Sequence, residues 1–490
     1  MAENEKLLAD LRRVHPELMK NGDEYCFFRA TYEGGKDYVK DNLFSHRREN
    51  ESDFEWRIQR AYYLNVCAPM INVFNGFLKG AEKISNLPFA KKPTWDAFMS
   101  DASGSGETLE ELESQARLFA LTEGKSYIML DRRIASNEME DGKVLTKADE
   151  MAAGIVTFAK VLHRTDVMDW KIGSDGLYDW VKIKGDEIDD RETFDRKLKG
   201  IETFYVWTRS DYTVYHVEAG KKASIYQGPT PHNLGVIPLV PFVRKEGSMI
   251  KDAAYVNRGV MNWSSLLDEI LYRQTFAQLV LPDGEGVDEI KLGTATAITT
   301  DPDVAAQPAF IAPPSAPAEI LRAQIKDACE MIRWLILFKT DSDGAGVSES
   351  GVAKSYDFAQ LNHSLVAAGQ SFESPEELLA FYWGKWEGMD DNSLKDILIS
   401  YPDSYDVEDA NKLIEEIIKA QTVQIGEKME KYLKKKLAKK MIDKREAEEL
   451  KEILLEIDAQ IKPVMPPTEE ELNKDIEKEK KELGEAGETK

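Results

Sequence analysis

Carboxylate, hydroxyl and glycine residues are concentrated in residues 339–357, which read KTDSDGAGVSESGVAKSYD. Asp341 and Asp343 stand two residues apart and could offer oxygen ligands to a divalent cation. No glutamate stands at the twelfth position of an EF-hand loop begun at either aspartate, so a cation site is the weaker interpretation. The three glycines and the run of Ser and Asp predict a segment that packs no core and is either solvated or in contact with something that moves.

Motifs of catalytic and nucleotide-binding sites do not occur in the sequence, which contains no Walker A loop, GxSxG or HExxH. The glycine-containing stretches 283–293 and 343–351 lack the spacing and the preceding strand of a phosphate-binding loop. The histidines are scattered, at His15, His46, His163, His216, His232 and His363. The sequence therefore predicts no catalytic residue, no metal site, no cofactor and no enzyme.

The charge balance is strongly acidic, with 88 Asp and Glu against 64 Lys and Arg and a net charge of −24. A protein that clamps nucleic acid by neutralising phosphates would be expected to carry a basic face. The composition argues against such a clamp but is compatible with a surface that DNA slides past. With 490 residues the chain is long enough for two to four domains.

Cysteine usage and hydropathy indicate a reducing, aqueous folding compartment. Cys26, Cys67 and Cys329 are far apart and odd in number, so we expect free thiols and neither a disulfide nor a zinc site. The sequence contains no run of about 18 apolar residues, so no membrane-spanning helix is expected. The N-terminus has no apolar core of the kind found in signal peptides.

The N-terminal part of the chain, which belongs to the scaffold that must position residues 339–357, is predicted to be helical. Apolar spacing predicts helices over residues 4–20 and 36–62 and, within residues 53–85, two helices joined near Pro69. This stretch is interpreted as core packing.

A capped helix and a strand follow. Thr108 is predicted to cap a helix, with Glu111 completing a capping box, and Gly124 is predicted to end it. The apolar run 126–133 predicts a short strand with a charged end.

Short alternating segments over residues 155–228 predict an antiparallel meander, and residues 237–244 predict a last strand. Its aromatic residues suggest a ligand site, but packing on the sheet faces is the favoured interpretation. These aromatic residues are Trp170, Trp180, Tyr205, Trp207, Tyr212 and Tyr215.

Two amphipathic helices precede the acidic segment. Spacings of three and four predict helices over residues 252–279 and 318–338, with a proline-rich β excursion between them. Residues 352–387 are predicted to be largely helical, with Pro375 opening a further helix.

The C-terminal part is predicted to be helical after one strand at residues 395–401. Residues 407–461 predict a helical hairpin that contains a basic stretch, residues 431–445. That stretch is either a solvated helix face or a contact with DNA or an acidic partner. Residues 463–490 have almost no apolar content and predict an acidic tail that is disordered or loosely helical.

The order of these elements resembles the tailed-bacteriophage portal protein, the head-to-tail connector. The resemblance is spread over most of residues 40–410. It is carried by residues 62–80, 116–133, 237–244, 252–271, 350–365 and 397–409.

The resemblance implies an α+β fold of the portal type, with an α/β wing, a two-helix stem, a small β-containing clip and a helical crown. Carried onto this sequence, its regions are the wing (1–245), first stem helix (246–278), clip (279–315), second stem helix (316–338), tunnel loop (339–352), long helix returning to the wing (353–405), crown (406–462) and acidic tail (463–490).

The resemblance also implies a channel for DNA, whose wall should not bind phosphate tightly, because tight binding would stall transport. The acidic tunnel loop fits such a wall, with Asp341, Asp343 and Glu349 facing the bore and Lys339 or Lys354 as the nearest cations. The candidate tunnel-loop residues are Lys339, Asp341, Asp343, Gly344, Gly346, Glu349 and Lys354. The candidate clip contacts with an adaptor or terminase are Asp288, Glu289, Lys291, Thr294 and Thr296.

The implied assembly is a ring, usually of twelve subunits, at one vertex of the virion capsid, assembled in the bacterial host cytoplasm. The implied partners are other copies of the chain, double-stranded DNA in passage, the terminase large subunit, the head-tail adaptor, the major capsid protein and the scaffold. No membrane is implied. One alternative is a capsid-associated interaction protein without a channel, and another is a metal-dependent hydrolase whose site has no recognised motif.

Overall fold

A computed structural model describes residues 2–133, 156–186, 188–189, 200–218, 222–274, 278–280, 309–311, 315–336, 351–405, 431–435, 438 and 452–457. The chain divides into two compact units, Met1–Tyr405 and Asp406–Lys490. The first unit combines helices with antiparallel sheets, so the predicted α+β fold class is confirmed. In the second unit, the described residues 431–435 and 452–457 are helical.

The described helices are α1 (Ala2–Arg12), α2 (Pro16–Glu33), α3 (Gly35–Asn42), α4 (Glu51–Arg60), α5 (Cys67–Lys79), α6 (Pro93–Ser100), α7 (Leu109–Glu123), α8 (Lys251–Gln274), α9 (Ala316–Leu335) and α10 (Gly351–Trp386). In the described part of the chain, no helix is both long and apolar enough to cross a membrane. Cys26, Cys67 and Cys329 are free thiols.

The described strands are β1 (Ile84–Asn86), β2 (Lys125–Arg133), β3 (Val156–His163), β4 (Val167–Ile172), β5 (Tyr178–Lys184), β6 (Ile188–Asp189), β7 (Gly200–Thr208), β8 (Asp211–Glu218), β9 (Lys222–Pro231), β10 (Leu239–Val243), β11 (Gln278–Val280), β12 (Ala309–Ile311) and β13 (Leu398–Ser400).

The predicted meander is confirmed for β4, β5, β7, β8 and β9, which follow one another in that order in an antiparallel sheet. Its assignment was wrong for β3, which pairs with β2 in a separate sheet of order β10-β2-β3. The reason is that β2 is buried on both faces. Ile128 and Leu130 enter the helical core, while Tyr127 and Met129 pack with the meander. A central strand of this kind takes a neighbour on each edge, and β3 and β10 fill the two places.

Local signals placed α7 correctly. The Thr108 hydroxyl accepts the Glu111 backbone N–H at 3.3 Å, and the Glu111 carboxylate accepts the Thr108 N–H at 2.9 Å. Gly124 then ends the helix in the left-handed region, with φ of 82°. A side chain at Gly124 would meet the Ser248 backbone nitrogen at 2.9 Å, so this turn needs both the glycine conformation and the missing Cβ.

The N-terminal helices are shorter than predicted. The expected helix 4–20 is two helices, because α1 ends at Arg12 and α2 begins at Pro16. His15 is the N-cap of α2, and Pro16 occupies its first helical position. The expected helix 36–62 is broken between α3 and α4, because the Asn50 side chain accepts the Asp53 N–H at 2.8 Å and caps a new helix. The two helices expected within residues 53–85 are α4 and α5, but their junction lies at residues 61–66. Pro69 lies in the first turn of α5, where a missing N–H leaves no hydrogen bond unmade.

The long helix α10 runs without a break through Pro375, so the prediction that this proline opens a further helix was wrong. Core contacts on both sides explain this. Phe372 before the proline and Leu379 after it are both buried in the main core. Tertiary packing holds the helix together where Pro375 removes one backbone hydrogen bond.

Strand β13 confirms the strand predicted at residues 395–401, although it is shorter. It pairs with β1, which the sequence pattern had not indicated. The strand and the residue after it donate backbone N–H groups to side chains of α10. Ile399 donates to Glu377 at 3.0 Å, and Tyr401 donates to Glu373 at 2.8 Å.

Candidate functional site

The α8–α9 pair is the candidate site, because in the sequence it flanks the predicted clip contacts and precedes the acidic segment 339–352. The two helices pack against each other. Where α8 ends and α9 begins, β11 pairs antiparallel with β12, with Leu279 opposite Phe310. This confirms a small β element between two amphipathic helices.

The first half of α8 is anchored in the helical body by side-chain amides. Asn257 is fully buried, accepts the Val66 N–H at 3.0 Å and donates to the Leu64 carbonyl at 2.8 Å. Asn262 similarly accepts the Phe44 N–H at 2.9 Å. These contacts satisfy backbone groups of connecting segments that have no helix or strand partner there.

Two arginines on α4, Arg57 and Arg60, fix the second half of α8. The buried Arg57 binds both oxygens of Glu49, at 2.8 and 2.7 Å, and donates to the Ser265 hydroxyl at 3.2 Å. The Arg57 guanidinium holds the pKa of the Glu49 carboxyl below its ordinary value. Arg60 pairs with Asp268 at 2.6 Å and covers the Tyr272 ring at 4.1 Å. The helix pair is therefore rooted in the body by charged as well as apolar contacts.

Helix α9 has two different faces. Ala328 and Ile332 are buried. On the other side, Ile320, Met331 and Trp334 are 68%, 52% and 64% exposed. At 100° per residue these three fall within about 60° of one another, on a stripe that Asp327 interrupts. We call Ile320, Met331 and Trp334 the α9 stripe; it is an apolar surface that the described part of this chain does not cover.

Of the predicted tunnel-loop residues, all but one lie outside the described residues, namely Lys339, Asp341, Asp343, Gly344, Gly346 and Glu349. Lys354 lies in the first turn of α10, and its side chain is outside the described set. The predicted clip contacts also lie outside it, namely Asp288, Glu289, Lys291, Thr294 and Thr296. Their roles remain predictions. Among the described residues, no group of three His, Cys, Asp or Glu side chains could hold a metal ion.

Sequence reasoning missed a buried charge network that joins α7 to α10. Arg117 donates to Glu376 at 2.6 Å, and Lys83 bridges Glu376 and Glu113 at 2.7 and 2.9 Å. Tyr401 donates its hydroxyl to the same Glu376 oxygen. Burial raises the pKa of the Glu113 carboxyl, and the neighbouring Glu376 charge adds to this effect. Two carboxylates thus share two cations in a buried site.

The i,i+4 spacing of Glu113 and Arg117 is the only local signal of this network. The decisive partner, Glu376, is 259 residues away from Arg117. The network therefore ties the helix that follows the acidic segment to the body of the first unit.

The aromatic residues of the meander mostly serve packing, as the favoured interpretation expected. Trp207 is buried and stacks on Tyr212, with ring centroids 4.5 Å apart. Trp170 stacks on His15 at 3.8 Å. The first pair packs β7 against β8 within the sheet, and the second joins the sheet to the start of α2.

No known protein family matches the chain, and no curated protein matches it. Solved structures do match. A chain in the virion of a native gene transfer agent (GTA) particle is 12% identical, with a TM-score of 0.37 over 73% of this chain and 85% of that chain.

Chains in two GTA necks give similar values. The neck of the empty particle, computed with C6 symmetry, gives 11% identity and a TM-score of 0.36, covering 73% of this chain and 84% of that chain. The neck of the native particle, computed with C12 symmetry, gives 12% identity and a TM-score of 0.33, with the same coverage of both chains. At these TM-scores the likeness does not decide a function, which has to be inferred from the chain's own residues.

Proposed function

We propose that this chain is a non-enzymatic structural subunit of a phage-like particle, and specifically the portal subunit at the head–tail junction. Twelve copies form a ring through which double-stranded DNA is packaged and ejected. The ring docks the terminase large subunit during filling and the head-tail adaptor afterwards, and it contacts the major capsid protein and the scaffold.

The observation that carries this proposal is the α8–α9 pair. It is anchored in the body through Asn257 and Arg57 and closed by β11 and β12 at its other end. A portal needs this order of elements to join a wing to a clip through a stem: a body, a helix, a small β element and a returning helix.

A ring closed about one axis uses one heterologous contact repeated around it, so each subunit needs two different complementary faces. The α9 stripe supplies one apolar face of this kind. Trp and Met are enriched at the centres of protein–protein interfaces, where association buries them. In a monomer the Trp334 side chain would remain exposed to water.

The acidic composition supports transport of DNA rather than tight binding. Each phosphate that a cation neutralises adds affinity through counterion release. The segment between α9 and α10 carries Asp341, Asp343 and Glu349, with Lys339 and Lys354 at its edges. In the proposed ring these residues line the bore, and Asp288, Glu289, Lys291, Thr294 and Thr296 contact terminase or adaptor.

Native mass spectrometry of the purified chain, with negative-stain images down the particle axis, tests this proposal. We expect a closed ring of about twelve copies with a central hole, if necessary after addition of scaffold and capsid protein. A closed ring without a hole wide enough for a DNA duplex would reject the portal. Open or irregular assemblies would favour the capsid-associated protein without a channel.

Deletion of residues 341–349 then tests the channel separately. We expect the ring to form and DNA packaging or retention to fall, because the deletion removes residues proposed to line the bore and leaves every described helix intact. If ring assembly were lost, the tunnel-loop assignment would be wrong.

A further inference from the structure

A cavity of about 100 Å³ lies between the two larger sheets of the first unit. Strands β2 and β3 form one side, and β5 and β7 form the other. Its walls are largely apolar and aromatic, and they also carry one carboxylate, that of Asp131, and two lysines, Lys160 and Lys184. The groups that matter here are Met129, Leu162, Ile183, Tyr205, Trp207 and the carboxyl of Asp131.

The carboxylate of Asp131 has no cation partner among the described residues. Its Oδ1 accepts the backbone N–H of Arg132 at 2.7 Å, which leaves Oδ2 available. The nearby Lys160 is bound to a different carboxylate, that of Asp186. Burial raises the pKa of Asp131 to about 6, and only the Arg132 N–H opposes this effect. A partly buried carboxylate is therefore kept beside aromatic rings without a counter-charge.

We propose that this cavity binds the side chain of a lysine presented by a protein partner. Aromatic faces attract cations, and the low-dielectric walls strengthen the attraction to a carboxylate. The butyl stem of lysine would lie against Met129, Leu162 and Trp207, and its ammonium would meet Oδ2 of Asp131. This proposal stands on the cavity and does not depend on the ring.

The hydrogen bonding of Asp131 selects ammonium over guanidinium. An arginine binds a carboxylate best through two parallel hydrogen bonds, one to each oxygen. Here Oδ1 is already occupied by the Arg132 N–H, so one oxygen remains for a point-like donor. A lysine ammonium needs only that one acceptor.

Binding should depend on pH through Asp131. The other titratable groups around it are Lys160 on β3, Lys184 on β5, Tyr205 on β7 and Tyr212 on β8. Burial raises the pKa of both tyrosines, which therefore stay neutral between pH 5 and 7.5. As pH falls through about 6, Asp131 becomes a neutral acid and loses its attraction for the ammonium.

The test is isothermal titration calorimetry of the full chain with butylammonium chloride, which has the length and charge of a lysine side chain. The blank is sodium chloride at equal ionic strength, and n-butanol is the neutral probe of the same length. We expect butylammonium to bind at pH 7.5 and about tenfold more weakly at pH 5, following the ionised fraction of Asp131. N-acetyl-lysine methylamide, whose side chain is tethered to backbone as in a protein, should bind as well as butylammonium.

Two variants separate the cavity from general charge effects. Asp131→Asn keeps the acceptor for Arg132 and should weaken binding at least tenfold and remove the pH dependence. Asp37→Asn removes an exposed carboxylate on α3, outside the cavity, and should leave binding unchanged. The proposal fails if Asp131→Asn binds like the wild type or if n-butanol binds as well as butylammonium. Binding of free butylammonium without binding of N-acetyl-lysine methylamide would overturn the protein partner, because the mouth would then exclude a chain.

Discussion

The Nη1 of Arg117 on α7 lies 2.6 Å from the Oε1 of Glu376 on α10, and both side chains are fully buried. The pair joins residues 259 positions apart and, with Lys83 and Glu113, forms a compact set of two cations and two carboxylates. Taking charges out of water is costly, so such a set is stable only while every charge keeps its partner. The contact matters for function because α10 directly follows the acidic segment proposed to line the bore.

Arg117→Met should therefore destabilise the first unit by about 3–5 kcal/mol, because it leaves two buried carboxylates with one cation. Chemical denaturation measures the change. The double variant Arg117→Met with Glu376→Met should recover more than half of the loss, since Lys83 and Glu113 still balance each other. As a control, Lys40→Met breaks the exposed pair with Asp37 and should leave stability nearly unchanged. Equal effects of the buried and the exposed substitution would contradict this account.

Gly124→Ala should cost at least about 1–2 kcal/mol, because an alanine at this left-handed position is strained and its Cβ would meet the Ser248 nitrogen. The matched substitution is Gly22→Ala in the middle of α2. No heavy atom lies within 4 Å of that Cβ position, and the backbone is helical. Gly22→Ala should stabilise the chain by about 0.5–1 kcal/mol. The two unfolding midpoints are compared directly, and a rise of both midpoints would show that the turn does not require glycine.

The turn at Gly124 and the capping box of Thr108 and Glu111 were predictable from sequence, because each depends on residues within one helical turn. The Arg117–Glu376 pair was not, because nothing local indicates which distant carboxylate an arginine will meet. Strand β3 shows the same limit. Alternation predicted that it is a strand, but its pairing with β2 is decided by burial of both β2 faces.

Asp131 illustrates how a site can be hidden in a correct prediction. Its sequence position indicated the charged end of a strand. In the structure β2 continues to Arg133, and β3 and the meander cover Asp131. A carboxylate in a strand becomes a candidate ligand only when its neighbours across two sheets are known. Burial, and not residue type, distinguishes the Asp131 carboxylate from the exposed carboxylates of this acidic chain.

Asp131→Asn should raise stability at pH 7.5 but much less at pH 4. The folded-state pKa of about 6 lies above the ordinary value of 3.8, so the native state holds the proton more tightly than the unfolded chain. Stability is therefore lost as pH rises through this window, and the full penalty is present above pH 6. Asparagine carries no such penalty, and the gain at pH 7.5 should be at most about 3 kcal/mol. Urea unfolding at both pH values measures the gain, with Asp37→Asn on α3 as the exposed control. A gain that is independent of pH would show another cause.

Trp334→Asp should break the proposed ring without unfolding the subunit. The Trp334 side chain is 64% exposed in the isolated chain, so the substitution removes few internal contacts. In a ring it would place an unpaired charge in a desolvated contact, which interfaces tolerate poorly. The control is Met19→Asp on α2, which alters an apolar residue that is 74% exposed and lies outside the α9 stripe. Mass photometry should show rings for Met19→Asp and only smaller species for Trp334→Asp, with equal thermal midpoints of the subunits. Intact rings in Trp334→Asp would mean that the α9 stripe meets something other than a neighbouring copy.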